Sequence, residues 1–198
     1  DDPYFRSIID AGTSEIDHVE NLRLSYDPTC NLSCPSCRRG KIVAKGETAD
    51  FVERVTEDTV MPLLPKIKSL MMNGYGDIFT SRACRKILRS LNPQDHPDLK
   101  LDLLTNGVLF TREEWEKFPN IHGMVHRVRV SIDAVTESTY NILRRGGDFG
   151  KLRDNLKFLS ELRRQGGIDL FDIAFVIQKE NLDEMIAFAE WGIEMKCD

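Results

Sequence analysis

Five times along the chain a short apolar segment gives way to a turn and then to a helical stretch, and this alternation limits the fold more than any other feature. Strands are predicted over 22–27, 69–73, 99–105, 127–133 and 170–178, each apolar on at least one face and followed by turn-forming or polar residues. Helical periodicity fills the intervals. Ala83, Ile87 and Leu91 form one stripe, Leu152, Leu156 and Leu159 a second, and Ile186, Ala189 and Ile193 a third. Thr111 with Glu114, and Asn181 with Glu184, stand at the spacing of a helix cap and its acidic partner. Gly166 and Gly167 stop a long helix predicted over 149–165. Alternation of this kind predicts an α/β fold of parallel strands whose crossovers lay helices on the outside.

Strands buried on both faces read as continuous apolar runs. Here Arg127, Arg129, Ser131 and Asp133 share one face, and Val128, Val130 and Ile132 share the other. Arg23, Ser25 and Asp27 repeat the pattern in the first strand, as do Lys100, Asp102 and Asn106 in the third. A polar row on three strands predicts an inner surface lining a wet or ligand-filled cavity, although an edge strand facing solvent gives the same row.

The chain of 198 residues is long enough for one α/β domain with a real core, or for part of a larger one. It has no apolar run long enough to span a membrane, and its acidic start, "DDPYFRSIID", lacks the pattern of a signal peptide. A formal charge of −5 argues against non-specific nucleic-acid binding as the main role, though a local basic patch is hidden in that sum. Five cysteines, an odd number, unevenly spread, do not make a secreted disulfide scaffold. A metal or redox site in a reducing compartment, by default the cytoplasm, fits them better.

Three of the five stand in "CNLSCPSC", directly after the first strand, where α/β folds carry their ligand loops. Pro35 and the turn formers Asn31, Ser33 and Ser36 oppose a regular helix, so the thiols lie on a loop that can wrap a compact object. Cys30, Cys34 and Cys37 are one ligand short of a closed zinc site or an ordinary four-cysteine iron–sulfur cluster. Cys84 and Cys197 could supply a fourth, but Cys84 sits on an amphipathic stretch where a buried thiol is the commoner explanation. Three ligands on a cubane leave one iron open to a substrate or cofactor.

This C-x3-C-x2-C loop resembles that of the radical S-adenosylmethionine (radical SAM) enzymes, and the fold would then be a partial (βα)6-type barrel with about five βα units present. The resemblance implies that Cys30, Cys34 and Cys37 hold a 4Fe–4S cluster whose open iron is chelated by S-adenosyl-L-methionine. In "MMNGYGDIF", Gly74, Tyr75, Gly76 and Asp77 occupy the place of the family's Gly-Gly-Glu-Pro-like stretch, which accepts hydrogen bonds from the cofactor's amino group. Asp77 replaces the usual Glu, and Ile78 stands where Pro is common. "LLTNG" is similar to the family's Thr-Asn-Gly strand end and aims Asn106 at the cavity. "VSIDAVTESTYNILRRGGDFGKLRDNLKFL" resembles the Ser-x-Asp segment and Arg-rich glycine pair of SPASM-type members. It implies Ser131 and Asp133 near the ribose or the methionine carboxylate and Arg144 on that carboxylate, with Arg145 the neighbouring alternative.

"FVIQKENLDE" is similar too, with Gln178 read as a turn residue and Asn181 as a cap. The histidines His18, His96, His122 and His126 are scattered and read as surface or packing residues. The basic run Arg38, Arg39, Lys41 and Lys45 reads as a solvated loop, as a counter-charge to the cluster, or as a dock for an electron donor. One departure stands out: Ser36 occupies the position before the third cysteine where many members carry an aromatic that packs on the adenine.

The resemblance implies a lead-in segment over 1–21 and a core domain over 22–198 that lacks a sixth strand and any C-terminal region with auxiliary clusters. The chain is therefore expected to be a fragment of a longer protein. The implied activity is reductive cleavage of S-adenosylmethionine to a 5′-deoxyadenosyl radical that takes hydrogen from a substrate, a peptide or protein side chain. The implied partner is an electron donor such as flavodoxin or ferredoxin, with no membrane or nucleic acid. The alternative is a non-catalytic module or sensor in which a metal or cluster only staples the loop.

Overall fold

Leucine, valine and methionine recur at alternate positions in the predicted strands, and in the structure most of these side chains turn together to one face of a single sheet. The structure is a computed structural model that describes residues 3–12, 19–72 and 75–198. The strands are β1 (Asn21–Leu24), β2 (Ser69–Met72), β3 (Lys100–Thr105), β4 (Val125–Ser131) and β5 (Leu170–Ala174). They lie side by side in chain order and all pair in parallel. An order without reversal is that of a barrel wall; a doubly wound sheet reverses at a switch point. The fold is α/β, an open sheet of five parallel strands consistent with a partial barrel.

The register explains the polar row. Leu24, Met72 and Leu103 align and are buried, as do Val128 and Phe171. On the opposite face Arg23, Met71 and Asp102 align, and Arg129 pairs across to Asp172. Arg129 Nη2 lies 2.8 Å from the Asp172 carboxylate, with Arg127 Nε 3.3 Å from the same oxygen. One face is therefore core and the other is open and charged.

α1 (Pro3–Ala11) precedes the sheet. α2 (Glu47–Val55) runs into a π-helical turn, Thr56–Val60, where the Thr56 hydroxyl donates to the Val52 carbonyl at 2.7 Å. α3 (Arg82–Ser90) is capped by Ser81, whose Oγ accepts from the Cys84 amide, and it buries Ala83, Ile87 and Leu88. Between β3 and β4 there are two short helical turns, Arg112–Trp115, capped by Thr111, and the 3-10 turn Pro119–Ile121. α4 (Glu137–Leu143) leads to α5 (Phe149–Arg164), which Asp148 caps and whose stripe Leu152, Leu156 and Leu159 is fully buried. Gly166, at φ +75, ends α5 with the Gly167 amide donating to the Leu162 carbonyl.

Two expectations fail. The third stripe does not face the core: on α6 (Met185–Glu194), Ile186 and Ile193 are 76% and 77% exposed, and Phe188, Trp191 and Met195 pack inward. Strands β1, β4 and β5 also end two to four residues before the predicted ends. In β4 the reason is local, since Asp133 adopts φ +63 and turns the chain out of the ladder.

Candidate active site

The cysteine loop is closed by its own backbone. The Cys30 amide donates to the Ile42 carbonyl at 2.9 Å, and the Cys37 and Arg38 amides both donate to the Cys34 carbonyl. The Ser33 amide donates to the Arg145 carbonyl, fastening the loop to the end of α4. Leu32 and Val108 bury the loop's underside with Cys30 and Cys34, while Cys37 is exposed. All five cysteines are free thiols.

Each sulfur of the triplet has an N–H donor. Cys30 Sγ accepts from the Leu32 amide at 3.4 Å and from Asn106 Nδ2 at 3.8 Å. Cys34 Sγ accepts from Arg144 Nη1 at 3.9 Å, and Cys37 Sγ from Arg38 Nε and Nη2, both at 3.4 Å. Burial pushes the Cys30 thiol above its ordinary range, and the Leu32 amide opposes that shift. Among the described residues no three Cys, His, Asp or Glu side chains are drawn together at metal-ligating distance. Cys84 faces the core from α3, its thiol pushed up to about 12 by burial, as the amphipathic stretch predicts.

The ends of β2 and β3 form a second layer. Asp77 is buried, and its Oδ2 accepts from Thr105 Oγ1 at 2.7 Å and from the Asn106 amide at 2.9 Å. Its Oδ1 accepts from the Phe79 amide, so both oxygens are engaged within the chain. Desolvation raises the Asp77 pKa, and these hydrogen bonds oppose the shift. Asn106, held by Asp77, donates through Nδ2 to Asn31 Oδ1 at 2.8 Å beside Cys30. Gly76 serves a chain crossing: a Cβ there would stand 2.1 Å from the Thr29 carbonyl oxygen. Tyr75 is exposed, and Gly74 lies outside the described residues.

The ends of β4 and β5 form the third. Asp133 is buried with its Oδ2 2.7 Å from Arg144 Nη2, and its Oδ1 accepts from the Val176 amide. Arg144 thus spans Asp133 and Cys34, and its Nε is buried without a partner. Ser131 ends β4 on the open face, and the Arg145 side chain is exposed. Asn181 stands at the N-cap position of the turn Leu182–Glu184 before α6, but its side chain caps no helix amide. It is fully buried, donating through Nδ2 to the Asp133 and Val176 carbonyls at 2.9 Å and accepting the Gln178 amide on Oδ1.

The structure therefore gathers Cys30, Asn106 and Asp77 in one cluster, and Cys34, Arg144 and Asp133 in another, on one edge of the sheet. Sequence reasoning placed Arg38 in the basic run and missed that it ties two loops: it donates to the Pro28 carbonyl at 2.7 Å, to the Tyr75 carbonyl and to Cys37. It also missed Asn31 and Asn155, the latter bonded from α5 to the Gly107 and Val108 carbonyls. Their partners lie far away in sequence or are backbone atoms, so no local pattern marks them. The three described histidines are surface or packing residues, His122 stacking on Trp115. A cavity of about 580 Å³ opens behind the loop, between residues 43–46, α2 and α3, and no cysteine of the triplet lines it.

The family model described as the radical SAM superfamily matches residues 24–192. The chain belongs to the radical SAM superfamily. Among solved structures, SuiB from Streptococcus suis bound to S-adenosylmethionine aligns over 99% of this chain and 42% of its own, with 16% identity and a TM-score of 0.62. A radical S-adenosylmethionine methyltransferase, TsrM from Kitasatospora setae, with tryptophan substrate and a SAM analogue bound, aligns over 90% and 34%, with 15% identity and a TM-score of 0.54. At these identities the likeness is one of fold, and the chain spans less than half the length of either protein. No curated protein sequence matches the chain. Radical SAM membership implies S-adenosylmethionine and a 4Fe–4S cluster. The residues fit the cluster in donor chemistry: three free thiols on one loop, an N–H directed at each sulfur, and two guanidiniums against the thiolate charge.

Proposed function

We propose that the chain is the catalytic core of a longer, SPASM-type radical SAM enzyme of the cytoplasm, acting on a peptide or protein side chain with electrons from a flavodoxin or ferredoxin. The observation that carries the reading is the cysteine loop itself, three free thiols with N–H donors at the C-terminal edge of a parallel sheet. When bound, a cluster at these cysteines would supply the one electron needed to cleave the C5′–S bond of S-adenosylmethionine, and the two groups together would supply the radical chemistry for hydrogen abstraction.

In this reading Cys30, Cys34 and Cys37 are the ligands. Asn106 and the Leu32 amide hold the Cys30 sulfur, and Asp77 fixes Asn106 from behind. Arg144, with Nε unpartnered, offers its guanidinium to the methionine carboxylate while Asp133 fixes its orientation. Ser131 and the backbone around Tyr75 and Gly76 line the approach, with Gly74 assigned to the same stretch. Leu32 and Val108 exclude water from the buried side of the loop.

Anaerobic reconstitution tests the reading. The expected product is a brown protein with about four irons per chain that converts S-adenosylmethionine to 5′-deoxyadenosine and methionine when reduced. Serine at any of the three cysteine positions should abolish both properties. A colourless zinc protein without cleavage would establish the stapled module instead.

A further inference from the structure

We infer that the surface around Cys37 is the landing site of an acidic one-electron carrier protein, gripped by Arg39, Lys41, Lys45 and Arg145. The inference rests on the function proposed above, in which the loop holds a cluster that must be reduced from outside. Residues 28–46 contain four cations and no carboxylate, within a chain of formal charge −5. Arg38 is spent on internal contacts. Arg39, Lys41, Lys45 and Arg145 are exposed, and among the described residues none of them forms an ion pair. Elsewhere among the described residues Lys68, Lys86, Lys100, Lys117 and Lys157 each meet a carboxylate, while Lys66, Lys151, Lys179 and Lys196 do not.

Two of these cations stand beside the cysteine loop. The Arg145 carbonyl accepts from Ser33 inside the cysteine loop, and the Lys41 side chain lies across Gly146. Ile42 and Val43, exposed by 37% and 57%, add an apolar strip between Lys41 and Lys45. Cys30 and Cys34 are buried, so the shortest way in for an electron passes Cys37. A small cationic face with a little apolar surface suits a brief, electrostatically steered encounter between proteins. In that encounter the carrier loses one electron, the cluster gains it, and no covalent bond of either protein changes.

The test uses the full chain, the triple variant R39E/K41E/K45E, and flavodoxin as the acidic carrier. Wild type should bind flavodoxin about tenfold more weakly at roughly 200 mM salt than at roughly 20 mM, whereas the variant should bind at least about tenfold more weakly at low salt and respond little to salt. On cluster-loaded protein, bleaching by reduced flavodoxin should slow by a similar factor in the variant while bleaching by dithionite stays unchanged. Wild-type binding and reduction rates in the variant overturn the inference. So does a patch that binds a short RNA and ignores flavodoxin. The affinity arm needs no cluster, so a chain that fails to load iron or to cleave S-adenosylmethionine refutes the proposed function separately.

Discussion

Arg144 and Asp133 form the most consequential pair in the structure, since Asp133 is buried, the Arg144 side chain is largely covered, and one guanidinium nitrogen also reaches Cys34. Asp133→Asn would strand the Arg144 charge inside the protein, at an expected cost of about 3–5 kcal/mol in urea unfolding. The double variant D133N/R144M should recover most of that loss, because an apolar pair leaves no buried charge behind. Arg38→Ala removes a fork that joins Pro28, Tyr75 and Cys37, and should cost about 1–3 kcal/mol. Reconstituted R38A should also hold less iron per chain, and Arg38→Lys should not restore it, since an ammonium cannot join Pro28, Tyr75 and Cys37 as a planar fork does. At this scale the cysteines were legible because their spacing is local. Asp77 was legible by position only. Sequence marks the residue but not that Thr105, Asn106 and Phe79 already occupy its oxygens.

The strand ends are held together by side chains from other elements. Glu184, just before α6, accepts from the Val135 amide and the Thr136 hydroxyl, both at 2.6 Å, and so ties α6 to the exit of β4. Burial pushes its carboxyl up, but hydrogen bonds from Thr136, Thr139 and the Val135 amide outweigh it and leave the pKa lowered. A lowered folded pKa binds fewer protons than the unfolded chain. Its stabilising share is therefore complete above the ordinary glutamate value and disappears as the pH falls through the folded one. Glu184→Gln should flatten that part of an acid-unfolding profile and lower stability at pH 7 by about 1 kcal/mol. The strand positions could be read from period-2 alternation, but the strand ends could not, because they depend on where residues such as Asp133 leave the ladder. On α6, helical spacing fits both Phe188–Trp191–Met195 and Ile186–Ala189–Ile193. Only the packing decides which trio faces β5, and Ile186→Ser should shift stability by less than about 0.5 kcal/mol.

Across the whole molecule the helices cover one face of the sheet and leave the other to charged residues. The division was legible as the polar row, and the sequential strand order follows from the regular βα alternation, whereas the bridges among loops required the fold to be seen. On the open face the Arg129–Asp172 contact is partly exposed, and a pair of that kind contributes little to stability. Randomising Arg23, Asp102 and Arg129 together should therefore leave most variants with native melting cooperativity, whereas the same library at Leu70, Leu103 and Val130 should leave few. Such a scaffold lets one wall of side chains drift while its architecture stays put: a lineage can rewrite the charged face without first solving the folding problem again.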